Sequence, residues 1–302
     1  MIHSLVHIVL LLVMPPLLLG VIGKTKALFA GRVGPPVLQP YHDLVKLFQK
    51  GSVFSTTTTW VFRAGPVVGL ATALLAGMLL PFGGHDAPIS FNGDMILFAY
   101  LFALGRFFTA SAALDTGSAF EGMGAAREVT FSCLAEPALF FGFLVLAKMS
   151  ASLSLTTMLD GTFPLGAGIA APSLVLVAAS LFIVLLVENS RIPFDDPNTH
   201  LELTMIHEVM VLDHSGPAFG MILYGAAIKL FVLGAFLLRV VSPFESGNPW
   251  IDWGFFMAGM LGLAVVIGMV ESMMARFRMV FVPTFLVAAC LLSAFGVILL
   301  LR

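Results

Sequence analysis

Long apolar runs separated by shorter polar ones mark this chain from end to end. Eight runs stand out, at 4–23, 64–82, 94–112, 130–149, 169–188, 218–240, 253–274 and 280–301. Each is long enough to cross ~30 Å of hydrocarbon at a helical rise of ~1.5 Å per residue. The pattern predicts an all-α integral membrane protein, a single polytopic domain over residues 1–302 with eight transmembrane helices. The first run starts almost at Met1, meets Lys24 and Lys26 at its far end and has no small-residue cleavage site, so it is expected to stay as a span.

The polar segments carry patterns of their own. In GRVGPPVLQPYHDLVKLFQKG, residues 41 to 50 place Leu44, Leu47 and Phe48 on one helical face and Asp43, Lys46 and Lys50 on the other. This suits an amphipathic helix lying in the membrane interface. Gly34, Pro35 and Pro36 before it force an extended, non-helical approach. The segment LDTGSAFEGMGAAREVTF (114–131) mixes three glycines with Asp115, Glu121, Arg127 and Glu128, and is expected to be irregular backbone near membrane depth, covered by protein or lining a water-filled cavity. If helical instead, Glu121, Glu128 and Glu136 would form a spiralling acidic row pointing into span four.

The richest polar stretch is Val187 to Pro217, with six of the seventeen carboxylates: Glu188, Asp195, Asp196, Glu202, Glu208 and Asp213. His200, His207 and His214 follow one another at intervals of seven, which on a helix would place them within ~40° of each other. The chemistry is expected here.

Composition agrees with the pattern: 59% hydrophobic and 11% charged lies far outside the range of soluble domains. The position of the basic residues says more than their number. Lys24, Lys26, Arg32, Lys46, Lys50, Arg63, Arg127, Arg191, Arg276 and Arg278 fall on one side of the expected spans, against Lys148, Arg239 and Arg302 on the other. The positive-inside rule then makes the first side cytoplasmic, with both termini outside. Arg106, Glu136 and Lys229 fall within spans. A charge at the bilayer centre costs at least ~2.5–3.5 kcal/mol, so each of them needs a partner or water; Arg127 is the expected partner of Glu136.

Several chemistries are excluded. Cys133 and Cys290 have no CxxC spacing, which argues against an iron–sulfur or zinc site in this chain. His207-Glu208 begins an HExxH pattern, but Val211 stands where the second histidine is needed. Asp195-Asp196 runs into a proline and lacks the rhythm of a calcium loop. No phosphate loop, basic nucleic-acid patch or Ser-His-Asp set stands out, so neither a nucleic-acid partner nor autonomous catalysis is expected.

The runs GRVGPPVLQPYHDLVKLF, GAAREVTFSCLAEP, VENSRIPFDD followed by LEL, and MARFR resemble the subunit that joins the peripheral arm of respiratory complex I to its membrane arm. The likeness covers nearly the whole chain in the same order, with the same eight spans. LDTGSAF, Glu128 directly after Arg127, the long IPFDDPNTHLELTMIHEVMVLDHSGP loop and Lys229 resemble more closely the homologous connector of energy-converting, membrane-bound NiFe hydrogenases of the formate hydrogenlyase type.

The resemblance implies a funnel from a peripheral redox arm into the membrane. Glu188, Asp195, Glu202 and Glu136 match the family's acidic path. Arg32, Asp43, Arg127, Arg191, Arg276 and Arg278 match its docking and funnel loops. The reading of the residues themselves adds Glu128, Lys229, Asp115, Glu208 and His207 to the path and Lys46 to the docking face. No cofactor, metal, flavin or quinone is expected to be held tightly by this chain; a NiFe centre and iron–sulfur clusters would reside in partner subunits. The implied partners are hydrogenase-like large and small subunits on the cytoplasmic side, antiporter-like membrane subunits and the lipid bilayer. The implied place is a bacterial or archaeal cytoplasmic (inner) membrane. The implied function is that of a non-catalytic connector coupling redox chemistry to proton or sodium transport. The alternatives are a quinone-binding connector of complex I and a stand-alone ion transporter; against the latter, the chain lacks an inverted repeat with paired broken helices.

Overall fold

A computed structural model describes residues 2–160, 170–195, 206–243 and 246–301. Among them all regular structure is helical: α1 (Ile2–Phe29), α2 (Gln39–Phe48), α3 (Trp60–Leu79), α4 (Asp94–Asp115), α5 (Ala119–Ser150), the single turn α6 (Leu155–Met158), α7 (Ala170–Glu188), α8 (Gly216–Val241), α9 (Pro249–Met273) and α10 (Val282–Leu301). Eight of these are long and apolar enough to cross a membrane, and they correspond one to one with the eight expected spans. The short helix α2 has the expected two faces. Leu47 and Phe48 lie against Gly220 of α8, while Gln39 and Asp43 bond to each other on the exposed side.

The interior is organised around α8, the most buried of the long helices. It packs against α1, α3, α7, α9 and α2, with α4 outside α3 and with α10 against α5 and α7. The extended run before α2 folds back on α1 so closely that a Cβ at Gly20 would land on the carbonyl oxygen of Val37. Only glycine permits that approach.

One boundary differs from expectation, and it shapes the site. Residues 119–131 are not irregular: they begin a 32-residue helix, and only Thr116–Ser118 separate it from α4. At ~1.5 Å per residue α5 is roughly 48 Å long, longer than ~30 Å of hydrocarbon. Its first turns therefore protrude, and Glu121, Glu128 and Glu136 share one helix. Irregular backbone occurs instead after α7, which stops at Glu188 opposite Lys229, about 20 Å along α8 from Gly216. Ser190, Phe194, Asp195 and Ile206 are buried in protein. Non-helical backbone at that depth is tolerable only with such cover or beside a cavity.

The histidine row also dissolves. His200 lies outside the described residues, and His207 sits on a turn before, and His214 on irregular backbone after, a 3-10 turn (Val209–Val211) rather than on one helical face. At the opposite end of the bundle, buried charges have structural partners. Asp94 accepts from the Leu155 amide (2.6 Å) and the Ser154 hydroxyl (3.1 Å). Arg239 donates to the Leu159 carbonyl at 2.6 Å.

Candidate functional site

Arg106, nine residues before the end of α4, lies between α5 and α7 and joins three carboxylates. Its Nη1 bonds Glu136 Oε1 at 2.5 Å, its Nη2 reaches both oxygens of Glu188 at 2.8 Å, and its Nε is 3.6 Å from Glu128 Oε1. A guanidinium suits this position because it presents a rigid fork of five N–H donors, whereas an ammonium is a point charge. Lys229 of α8 reaches Glu188 from the other side at 2.7 Å. His207, on the loop before the 3-10 turn, sets Nδ1 3.2 Å from Glu128 Oε2. The side chains of Glu128, Glu188 and Arg106 are close to fully buried, but that of Glu136 is 42% exposed, on the outer flank of α5.

A second group of charges lies nearby. Glu271, fully buried near the end of α9, pairs with Lys26 of α1 (2.8 Å) and Arg191 (3.4 Å). Asp195 accepts from Arg276 (2.8 Å) and from the Ile206 amide (3.0 Å). The Phe277 amide donates to the Pro193 carbonyl at 2.8 Å, which fastens the loop after α7 to the segment after α9. Burial pulls Arg191 below the usual arginine range and the Glu271 carboxylate opposes that shift; the ion pair is what keeps a buried guanidinium tolerable.

Between the two groups lies a cavity of about 600 Å³, walled mostly by apolar residues of α1, α3 and α8, with Lys26, Arg106, Glu128, Arg191, His207, Glu208, Lys229 and Glu271 at its polar margin. A second void of about 10 Å³, roughly the room for one water, is bounded by Glu128, Ser132, Glu188, Ser190 and Asp195. The arrangement provides buried exchangeable groups beside a wettable chamber.

Of the residues proposed from sequence, the structure gathers Glu128, Glu136, Glu188, Lys229 and His207 into one network, with Asp195 and Glu208 beside it. Asp115 stands apart. It accepts from the Thr59 amide and hydroxyl and from the Phe62 amide (2.6, 2.9 and 3.3 Å), capping the start of α3. Glu202 lies outside the described residues. Arg191 and Arg276 are tied into the second group, Arg127 contacts the Met123 sulfur at 3.2 Å, and Arg32, Asp43, Lys46 and Arg278 are exposed. The partner of Glu136 is Arg106, not Arg127.

The sequence alone marks Arg106 only as an in-span charge in need of a partner, and gives Lys26 and Glu271 no part in the site. The signal for Arg106 was present, as a lone in-span arginine with three carboxylates to satisfy. Among the described residues no group of three or more His, Cys, Asp or Glu has metal-binding geometry.

His214 serves the scaffold beside the site. Its ring stacks on Phe62 (3.9 Å, 9°), and burial lowers its pKa to about 4, with Asp213 opposing. The unfolded chain takes up a proton near 6.5 and the folded chain only near 4. The stabilisation from a neutral His214 is thus complete above 6.5 and is lost as pH falls toward 4. Thermal midpoints measured from pH 7 to 4.5 are expected to fall less steeply in His214→Phe; parallel curves would refute the assignment.

Residues 2–302 match the protein family described as NADH dehydrogenase. The chain is 32% identical over 289 residues to formate hydrogenlyase subunit 4 of Escherichia coli (strain K12), covering 93% of this chain and 92% of that one. It is 33% identical over 243 residues to hydrogenase-4 component C of the same organism, covering 80% and 76%. A chain in the structure of the membrane-bound sulfane sulfur reductase, an archaeal respiratory membrane complex, superposes with a TM-score of 0.86 at 22% identity, over 99% of this chain and 98% of that one. This last likeness is one of fold.

Proposed function

Because this chain belongs to the NADH dehydrogenase family, we propose that it is the membrane connector of a hydrogenase-like complex, a non-catalytic subunit that couples redox chemistry in a peripheral arm to movement of protons or sodium ions. The single observation that carries this reading is the Arg106–Glu128–Glu136–Glu188–Lys229 network, which links a cavity near the basic end of the bundle to a half-exposed carboxylate on the lateral flank. Structural ion pairs alone would not need to span that distance or to leave Glu136 facing outward. The similarity to formate hydrogenlyase subunit 4 and hydrogenase-4 component C favours hydrogenase-type partners.

Helix α2 with Lys46 and the loops bearing Arg191 and Arg276 form the docking face for those peripheral subunits, on the cytoplasmic side by the distribution of Lys and Arg, and antiporter-like membrane subunits complete the ion path. The test is the ratio of ions moved to electrons transferred in sealed vesicles carrying Glu136→Gln: loss of coupling with redox turnover intact supports the role, and an unchanged ratio rejects it.

The 600 Å³ cavity favours one second reading, a quinone-binding connector, since a mostly apolar chamber with charged groups at one margin suits a ring bearing an apolar tail. Saturable binding of a short-chain quinone to the purified chain, weakened by a bulky substitution at Gly69, would support it; absence of saturable binding would leave the hydrogenase-type reading.

A further inference from the structure

Among the described residues the inner network is short of one positive charge. Glu128, Glu136 and Glu188 face only two fixed cations, Arg106 and Lys229. The cations of the second group are already engaged, Lys26 and Arg191 with Glu271 and Arg276 with Asp195. An arginine does not give up its proton, and an unbalanced buried charge is strongly disfavoured. The inner network therefore has a place for one additional proton.

Its location follows from the contacts. Glu188 is held by both nitrogens of a fork-and-ammonium clamp, Arg106 Nη2 at 2.8 Å to each oxygen and Lys229 at 2.7 Å, so it has no need of a proton. Glu136 has the shortest guanidinium contact, 2.5 Å. Glu128 has the weakest, 3.6 Å, beyond hydrogen-bonding range, and its other oxygen faces His207 Nδ1 at 3.2 Å. His207 Nδ1 and Arg106 Nε are buried without an aligned hydrogen bond. His207 is the one member carried by a loop, and its side chain is 34% exposed and borders the large cavity. Glu208 is its neighbour at the same margin.

We propose that the network holds one exchangeable proton and that His207, facing Glu128 at the cavity margin, is the port through which this proton enters and leaves. The proposal rests on the proton-path reading above and names the group that loads it. A hydronium at the cavity margin gives a proton to Nε2 as the Nδ1 proton passes to Glu128 Oε2; the hydronium O–H and the Nδ1–H bonds break, the Nε2–H and Glu128 O–H bonds form, a neutral water is left in the cavity, and the imidazole ends neutral in its other tautomer. Return follows the same steps reversed. With the proton on His207 the network counts three positive against three negative groups, and with it on Glu128 two against two, so both states are balanced.

The test uses the full chain in lipid nanodiscs, with the protonated-carboxyl band in the infrared followed after a pH jump and assigned to Glu128 by its loss in Glu128→Gln. Wild type is expected to gain one proton per chain. In His207→Asn, which fills the space but accepts no proton, equilibration is expected to slow by roughly a hundredfold, the usual scale for removing a positioned acid–base group, and added imidazole is expected to restore it. His207→Gln gives the same readout should the Asn variant fold poorly. Unchanged kinetics in either folded variant, or slowing that imidazole does not relieve, overturns the port. Since this experiment reads the network itself, such a result leaves the coupling role of Glu136 standing, whereas coupling that survives Glu136→Gln removes that role alone.

Discussion

Arg106→Met is expected to leave the chain largely unassembled. Methionine approximates the length of the stem but strips the fork from three carboxylates, leaving Glu128, Glu136 and Glu188 against Lys229 alone. Breaking a buried ion pair by removing one partner costs about 3–5 kcal/mol, a large part of the ~5–15 kcal/mol that holds a typical domain together. Two of the three orphaned carboxylates are nearly fully buried, so water cannot take over the role of Arg106. Accumulation in membranes and the thermal midpoint in detergent both report the effect. Adding Glu136→Gln to Arg106→Met lowers the uncompensated charge, and part of the lost stability is expected to return. A double variant no more stable than Arg106→Met would mean that Arg106 acts by packing rather than by charge.

The spans were legible in the sequence because hydrocarbon imposes a simple rule on composition and length, and α8 and α10 obey it. Partner choice inside the bundle was less legible. Once 119–150 is one helix, nine residues put Arg127 and Glu136 on opposite faces, roughly 13 Å apart along the axis; that Arg106 takes the place depends on how α4 and α5 are rotated and staggered, which no spacing within either helix encodes. Hydropathy ends the fifth span at 188, where α7 stops, but cannot tell that the loop beyond is buried, since the cover over Ser190 and Asp195 comes from other segments of the chain. The seven-residue histidine spacing misled for a related reason: it means one face only on a helix, and the backbone around Val209–Val211 is turn and 3-10. The acidic row Glu121, Glu128, Glu136 was legible only on the condition that the segment is helical, against which its three glycines argue and which α5 meets.

Glu136→Gln is expected to do the opposite of Arg106→Met: to assemble and yet lose coupling. Glutamine keeps the shape and an acceptor oxygen for Arg106 Nη1, and the charge count becomes two carboxylates against two cations, which removes any reason for instability. The variant has also lost the exchangeable group on the lateral flank. Redox turnover of the peripheral arm with an artificial donor is expected to persist, because Glu136 lies deep along α5, about 25 Å from its start.

On the proposed function this buried network carries ions and does not merely hold helices together. The most direct measurement is the number of ions moved per electron by the fully assembled Glu136→Gln complex in sealed vesicles. A ratio falling to near zero while electron transfer continues is the predicted result, and a ratio equal to that of the unmodified complex would contradict it.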